Sequence, residues 1–326
     1  MNRVTSFFAL LLMSVALNAQ ANYSERSDVQ AFIDDMVEKH GFDRERLVSQ
    51  FASAQKLEGV LEAIAKPAER VLTWKEYRPI FLTSKRINGG NKFLQENRET
   101  LMRAEKEFGV PAEIITAIIG VETYYGRLSG KTQVFDSLVT LGFDYPPRAR
   151  FFRGELEQFL LLTREEAVDV RDVRGSYAGA MGMPQFISSS YRHYAIDFDG
   201  DGKRDLWNNT TDVIGSVANY FKVHGWEPGG QVLVPARINA HMKDDIEETR
   251  NKLKPHTRIT DMTNNGIYPE AEVDNSVKAT LVTLQGNNGK EYWLGLDNFY
   301  VITRYNHSAL YAMAVYQLSQ EFDTQK

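Results

Sequence analysis

The chain has 326 residues, 43% of them hydrophobic and 25% charged, with 38 basic against 43 acidic side chains and no cysteine. That balance fits an ordinary globular protein with a sizeable core and excludes disordered, collagenous and repeat architectures; the length predicts two or three sub-domains. A net charge of −5 is wrong for a phosphate-backbone binder, which excludes nucleic acid as the expected partner, and without thiols there are neither disulfides nor cysteine nucleophiles.

In chain order, Met1-Asn2-Arg3, an apolar run from Phe7 to Leu17 and Ala19-Gln20-Ala21 form a basic, a hydrophobic and a cleavage region, predicting a signal peptide over 1–21. The apolar run is too short to span a bilayer, and a lipoprotein would need a cysteine, so an exported, periplasmic chain without a stable membrane anchor is expected. Residues 22–108 read as a helical domain, with apolar positions such as Val29, Phe32, Ile33, Met36 and Val37 recurring at three and four. Val110-Pro111 opens a second helical region over 109–228, with Pro at the first helical position and Gly126 past the end of its first helix. Residues 229–303 read as a small β-domain. Val232–Ile238, Ala279–Leu284 and Glu291–Leu296 are strand-like, Gly286-Asn287-Asn288-Gly289 is a hairpin turn, and Phe299–Thr303 is the expected last strand. Ser308 is an N-cap for a closing helix in 304–326. The predicted fold class is α+β, mainly α.

Three segments carry candidate chemistry. Glu122 follows Ile118 by four and Ile115 by seven, which puts a carboxylate on an apolar stripe in the last turn of a helix. Burial and the negative end of the helix dipole both raise its pKa, as a general acid near neutral pH requires. An ion pair with Arg127 or Arg148 is the structural alternative. Gly175–Phe186 is rich in small residues; Ser176 and Gln185 offer hydrogen bonds to sugar, Tyr177 and Phe186 offer faces for stacking, and a tight interhelical loop is the alternative. Asp197, Asp199, Asp201 and Gly202 match the first half of an EF-hand loop, with Lys203 supplying a carbonyl. Asn208 stands where the closing Glu belongs, so Asp212 would have to close the site, or else cap the following helix. No zinc-hydrolase or serine-hydrolase signature is present.

With these residues in hand, the chain resembles the lytic murein transglycosylase B family, glycoside hydrolase family 103. The resemblance rests on GVETYYGR around Glu122, GSYAGAMGMPQF, the acidic loop ending in DLW, DVIGSVANYFKVHGW and TRYNHSALYAMAVYQL. It implies a lysozyme-like core with an N-terminal helical domain and a small β-domain. Cleavage of the MurNAc–GlcNAc bond would leave 1,6-anhydro ends, with Glu122 as sole acid and base and no catalytic cofactor. Carried over by motif, Ser176 and Gln185 bind the sugar, and Tyr77, Arg148, Phe186, Tyr220, Tyr305, Asn306 and Tyr311 line the groove. Pro147-Arg148-Ala149-Arg150-Phe151 departs from the family's paired arginines and tyrosine. A structural calcium ion is implied on Asp197, Asp199, Asp201, Lys203 and Asp212. The partners expected are peptidoglycan glycan strands, with cell-wall synthases or amidases beside them, and the chain is expected to be a monomer. Two rivals remain at this level: a hydrolytic muramidase using a second carboxylate such as Asp136, Asp144 or Asp172, and a non-catalytic peptidoglycan-binding scaffold.

Overall fold

Amphipathic helices closed by strong caps build most of the protein, described here in a computed structural model for residues 22–65, 72–240 and 252–323. The predicted signal segment 1–21 lies outside the described residues. Contacts divide the chain after Lys56 into two compact units. In the first, α1 (Ser27–His40) buries Val29, Phe32, Ile33 and Met36 and stops at Gly41, whose φ of 64° suits a residue without Cβ. Asp43 then caps α2 (Arg44–Ala52), accepting the Arg46 N–H at 2.7 Å, and Phe32 meets Phe51 edge to face.

The second unit runs through α3 (Glu58–Ala65), α4 (Trp74–Phe81), α5 (Ser84–Glu96), α6 (Arg98–Phe108) and α7 (Ala112–Thr123). It continues with β1 (Thr132–Gln133), α8 (Val134–Asp144), α9 (Ala149–Glu165), β2 (Arg174–Gly175), α10 (Ser188–Tyr194) and α11 (Thr210–Val223). The organising element is α7. Its sequence predicts one apolar stripe, yet every residue from Ile114 to Val121 is buried, because α5, α6, α11 and α14 (Ala309–Gln320) pack around it. Since α5 and α6 pack on α7, the division by contacts falls upstream of the boundary expected at 108. Pro111 sits at the N-cap, one residue earlier than predicted.

The β-rich segment is a five-stranded antiparallel sheet in the order β4-β6-β7-β3-β5. Its strands are β3 (Leu233–Ile238), β4 (Thr257–Arg258), β5 (Ile267–Pro269), β6 (Lys278–Gly286) and β7 (Gly289–Gly295), with α12 (Ile259–Asn264) between β4 and β5. Val234, Ile259, Met262, Ala279 and Leu294 form its core. The predicted hairpin is present: Gly286 pairs with Gly289 across Asn287-Asn288. The expected strand Phe299–Thr303 is instead inside α13 (Asp297–Tyr305). A short β-branched run is ambiguous between strand and buried helix. Here Asp297 in the first turn and the Asn298 side chain, bonded to the Glu227 N–H and to the Glu227 and Gly230 carbonyls, settle it as helix. Ser308 caps α14 as predicted, accepting the Tyr311 N–H.

Candidate active site

The last turn of α7, whose Ile119 and Gly120 carbonyls are taken up by the Tyr125 and Tyr124 N–H groups, carries Glu122, a partly exposed side chain on a mostly buried helix. Its recorded partner is Tyr311 of α14, whose hydroxyl donates to Oε1 at 2.5 Å. Burial pushes the carboxyl up to about 7, against the opposing pull of the Tyr311 hydroxyl. Neither Arg127 nor Arg148 pairs with it: Arg127 lies over the Tyr124 ring and Arg148 over Phe151. Among the described residues no second carboxylate hydrogen-bonds to Glu122 or ranks among the causes of its raised pKa. Asp136, one of the rival carboxylates, is buried and paired with Arg171 at 2.6 Å.

Tyrosines wall the site. Tyr305 stacks on Tyr311, ring centres 6.4 Å apart and 12° from parallel, and its hydroxyl donates to the Pro184 carbonyl at 2.6 Å. Burial first, then the charge of Glu122, hold both phenols well above the usual tyrosine range, so they stay protonated donors at any working pH. Tyr77 is raised to about 12 by burial and by Glu122. That shared electrostatic coupling puts Tyr77, Tyr305 and Tyr311 around one carboxylate.

The small-residue segment closes the other side. The Thr123 hydroxyl donates to the Met183 carbonyl at 2.8 Å, and the Met183 N–H donates to the Leu206 carbonyl at 2.8 Å. Ser176 sits just after the short β1–β2 pair, and its Oγ accepts the N–H groups of Ala178 and Ala180, leaving its own proton to donate. Gln185 departs from expectation. At φ 52° its amide nitrogen turns back onto the Ser129 and Gly182 carbonyls, so it braces the loop. Phe186 and Tyr220 also need correction. They are 2% and 7% exposed, packed on each other and on Tyr305; their rings support the wall and offer no face to a sugar. Tyr177, on the same segment as Phe186, is 46% exposed. Asn306 is exposed at the end of α13. Arg148 lines an open pocket of about 700 Å³ with Ser189 and His193.

Sequence reasoning missed the support beneath Glu122. Tyr124 and Tyr125 both adopt left-handed backbone, φ 55° and 59°, a conformation unusual for bulky side chains. The Tyr125 hydroxyl donates to the Arg86 carbonyl at 2.8 Å, and Arg86 Nε caps the Gly120 carbonyl at 3.1 Å. A Cβ at Gly89, Gly90 or Gly120 would strike the Tyr125 side chain at 2.6–2.8 Å. Those glycines inside helices were the available signal, since helix interiors disfavour glycine unless something must approach closely.

In the acidic loop, Asp197, Asp199 and Asp212 bring carboxylate oxygens within 4.8 Å of one another. Asp201 is outside that group and accepts the Lys203 N–H. Asp212 is not the helix cap: Asn209 caps α11, while the buried Asp212 turns inward to accept the Phe198 and Asp205 N–H groups at 2.8 and 2.9 Å. Burial, and then the charges of Asp199 and Asp197, push its pKa up. Three acids held this closely could hold a cation, and oxygen ligands suit calcium.

Residues 24–320 match the Transglycosylase SLT domain family. The chain is 44% identical over 308 residues to the membrane-bound lytic murein transglycosylase B of Escherichia coli K12, covering 92% of this chain and 83% of that one. Its fold is similar to the crystal structure of the lytic transglycosylase SltB1 of Pseudomonas aeruginosa, with TM-score 0.88 and 51% identity over 92% of this chain and 98% of that one. It is also similar to the Escherichia coli lytic transglycosylase Slt35 in complex with calcium, with TM-score 0.82 and 45% identity over 93% of each.

Proposed function

The chain belongs to the transglycosylase SLT domain family and is a peptidoglycan lytic transglycosylase, and from that premise we propose that Glu122 alone is its catalytic acid and base. The observation that carries this reading is a single carboxyl with a pKa near 7, bonded to Tyr311 and free of a carboxylate partner among the described residues. Near neutral pH it is held partly protonated. It first gives its proton to the oxygen between MurNAc and GlcNAc, and an oxocarbenium-like sugar forms. The Tyr311 hydroxyl stabilises the carboxylate just produced. That carboxylate then takes the proton of the MurNAc C6 hydroxyl as this oxygen attacks C1, closing the 1,6-anhydro ring. The substrate supplies the nucleophile, so proximity replaces a second protein carboxylate.

Tyr77, Ser176, Tyr305, Asn306 and Arg148 are the proposed glycan contacts, whereas Gln185, Phe186 and Tyr220 hold the wall behind them. Asp197, Asp199 and Asp212 are the residues that would hold calcium, supported by their mutual spacing and by the calcium complex of Slt35. Bound there, calcium would neutralise the acidic loop; none of the catalytic steps uses it. We place the protein in the periplasm, acting on glycan strands beside wall synthases or amidases; no helix among the described residues is long and apolar enough to cross a membrane.

The test digests purified peptidoglycan with the wild type and with Glu122→Gln, then weighs the muropeptides. The wild type should leave ends one water lighter than hydrolytic ends and resistant to borohydride. The variant should bind glycan and lose turnover by at least about a thousandfold. Cleavage by the variant at the wild-type rate would overturn the assignment.

A further inference from the structure

Arg127, which does not pair with Glu122, belongs to a cationic group around the neighbouring tyrosine. Lys85 Nζ, Arg86 Cζ and Arg127 Cζ lie 5.8, 4.9 and 5.4 Å from the centre of the Tyr124 ring. Arg86 is committed, with Nε on the Gly120 carbonyl and Nη1 on the Ile80 carbonyl. Lys85 and Arg127 are exposed and have no hydrogen bond or ion pair among the described residues. The Tyr124 phenol oxygen is buried without a partner. One aromatic face offsets part of the mutual repulsion of three cations; what the group lacks is an anion.

The position says which anion. Tyr124 follows Glu122 by two residues, so their Cα atoms are at most about 7.6 Å apart. Arg86 also lies over Phe81, which packs at 5.0 Å on Tyr77, one of the phenols that feel Glu122. An anion bound at Tyr124 and a glycosidic bond at Glu122 therefore belong to one substrate molecule. In peptide-bearing glycan the sugars are neutral, and the carboxylates sit on the stem peptide carried by the muramic acid. At about 3.5 Å per extended residue, the first few residues of that peptide reach the group.

We propose that Lys85, Arg86 and Arg127, gathered around Tyr124, form a subsite for a free carboxylate of the stem peptide next to the bond being cleaved. The proposal rests on peptidoglycan as substrate and on Glu122 as the reacting group. Its test uses the full chain on glycan strands whose stem-peptide carboxylates are either free or amidated. The wild type should show a KM about three- to tenfold lower for the free form, the range expected of two exposed charge contacts, and the advantage should shrink with added salt. Lys85→Gln combined with Arg127→Gln should lose that preference, while Lys92→Gln, which removes a positive charge at a residue paired with Glu96, should keep it. A double variant that retains the preference, or that slows equally on both substrates, overturns the subsite. Failure of the Glu122 assignment is separate, and would show as turnover of peptide-free strands by Glu122→Gln.

Discussion

Replacing Glu122 by Gln should stabilise the protein in alkali and leave it unchanged in acid. In the fold the carboxyl titrates near 7, whereas the unperturbed value is 4.5. Below about pH 4.5 folded and unfolded chains both hold the proton, and the group contributes nothing. Between 4.5 and 7 the unfolded chain releases its proton while the folded one keeps it, so stability is lost as the pH rises through that window and the loss is complete above it. A rise from 4.5 to about 7, at ~1.4 kcal/mol per pH unit, sets an upper limit of about 3.5 kcal/mol. Solvent at the partly exposed side chain lowers this to roughly 1–2 kcal/mol. Gln keeps the volume and an acceptor for the Tyr311 hydroxyl but never ionises, so it removes the cost. Urea unfolding of both proteins at pH 4 and pH 8 reads the difference directly. Midpoints should coincide at pH 4 and separate at pH 8 with the variant higher; the same difference at both pH values would refute the desolvation argument.

Tyr311→Phe removes the donor that lowers the Glu122 pKa, so the acid form persists to higher pH. The kcat–pH profile should move about one unit toward alkali, with kcat down about tenfold because the carboxylate loses its support; an unmoved profile would count against the hydrogen bond as a catalytic contact. Calcium at a hundredfold excess over Kd should add about 2–3 kcal/mol, seen as a Tm several degrees higher than in chelator. Asp212→Asn should abolish that increment. An equal increment in this variant would remove Asp212 from the site.

The place of Glu122 was legible because helix periodicity and end effects are local. Ile115, Ile118 and Glu122 share one face, and three- and four-residue spacing shows it. The Tyr311 contact was not legible from spacing, since 189 residues separate donor and acceptor; only the resemblance brought Tyr311 into the groove. Phe186 and Tyr220 were read as groove rings because nothing in a motif tells an aromatic that faces a ligand from one that buttresses it. The distinction is burial, which depends on Tyr305 arriving from α13. Phe299–Thr303 misled for a related reason: five apolar or β-branched residues suit strand or buried helix, and the decision lay with Asn298 binding a turn some seventy residues earlier.

The quoted motifs make sense as parts of one hydrogen-bonded assembly. Leu206, in the acidic loop, holds Met183; Met183 is held in turn by Thr123, next to Glu122; Pro184 receives Tyr305; and Tyr305 stacks on Tyr311, which returns to Glu122. The Leu206, Met183 and Pro184 links bond to backbone and so fix main chain, while the ring contact and the Tyr311–Glu122 hydrogen bond fix the side chains. A carboxyl that must give a proton and then recover another needs the same position for both steps, and a circuit closed through both neighbours of its helix end supplies it. Left-handed Tyr124 and Tyr125 end α7 directly after Thr123. Their unfavourable backbone is tolerated because Arg86 and the glycine slot for Tyr125 over-determine it.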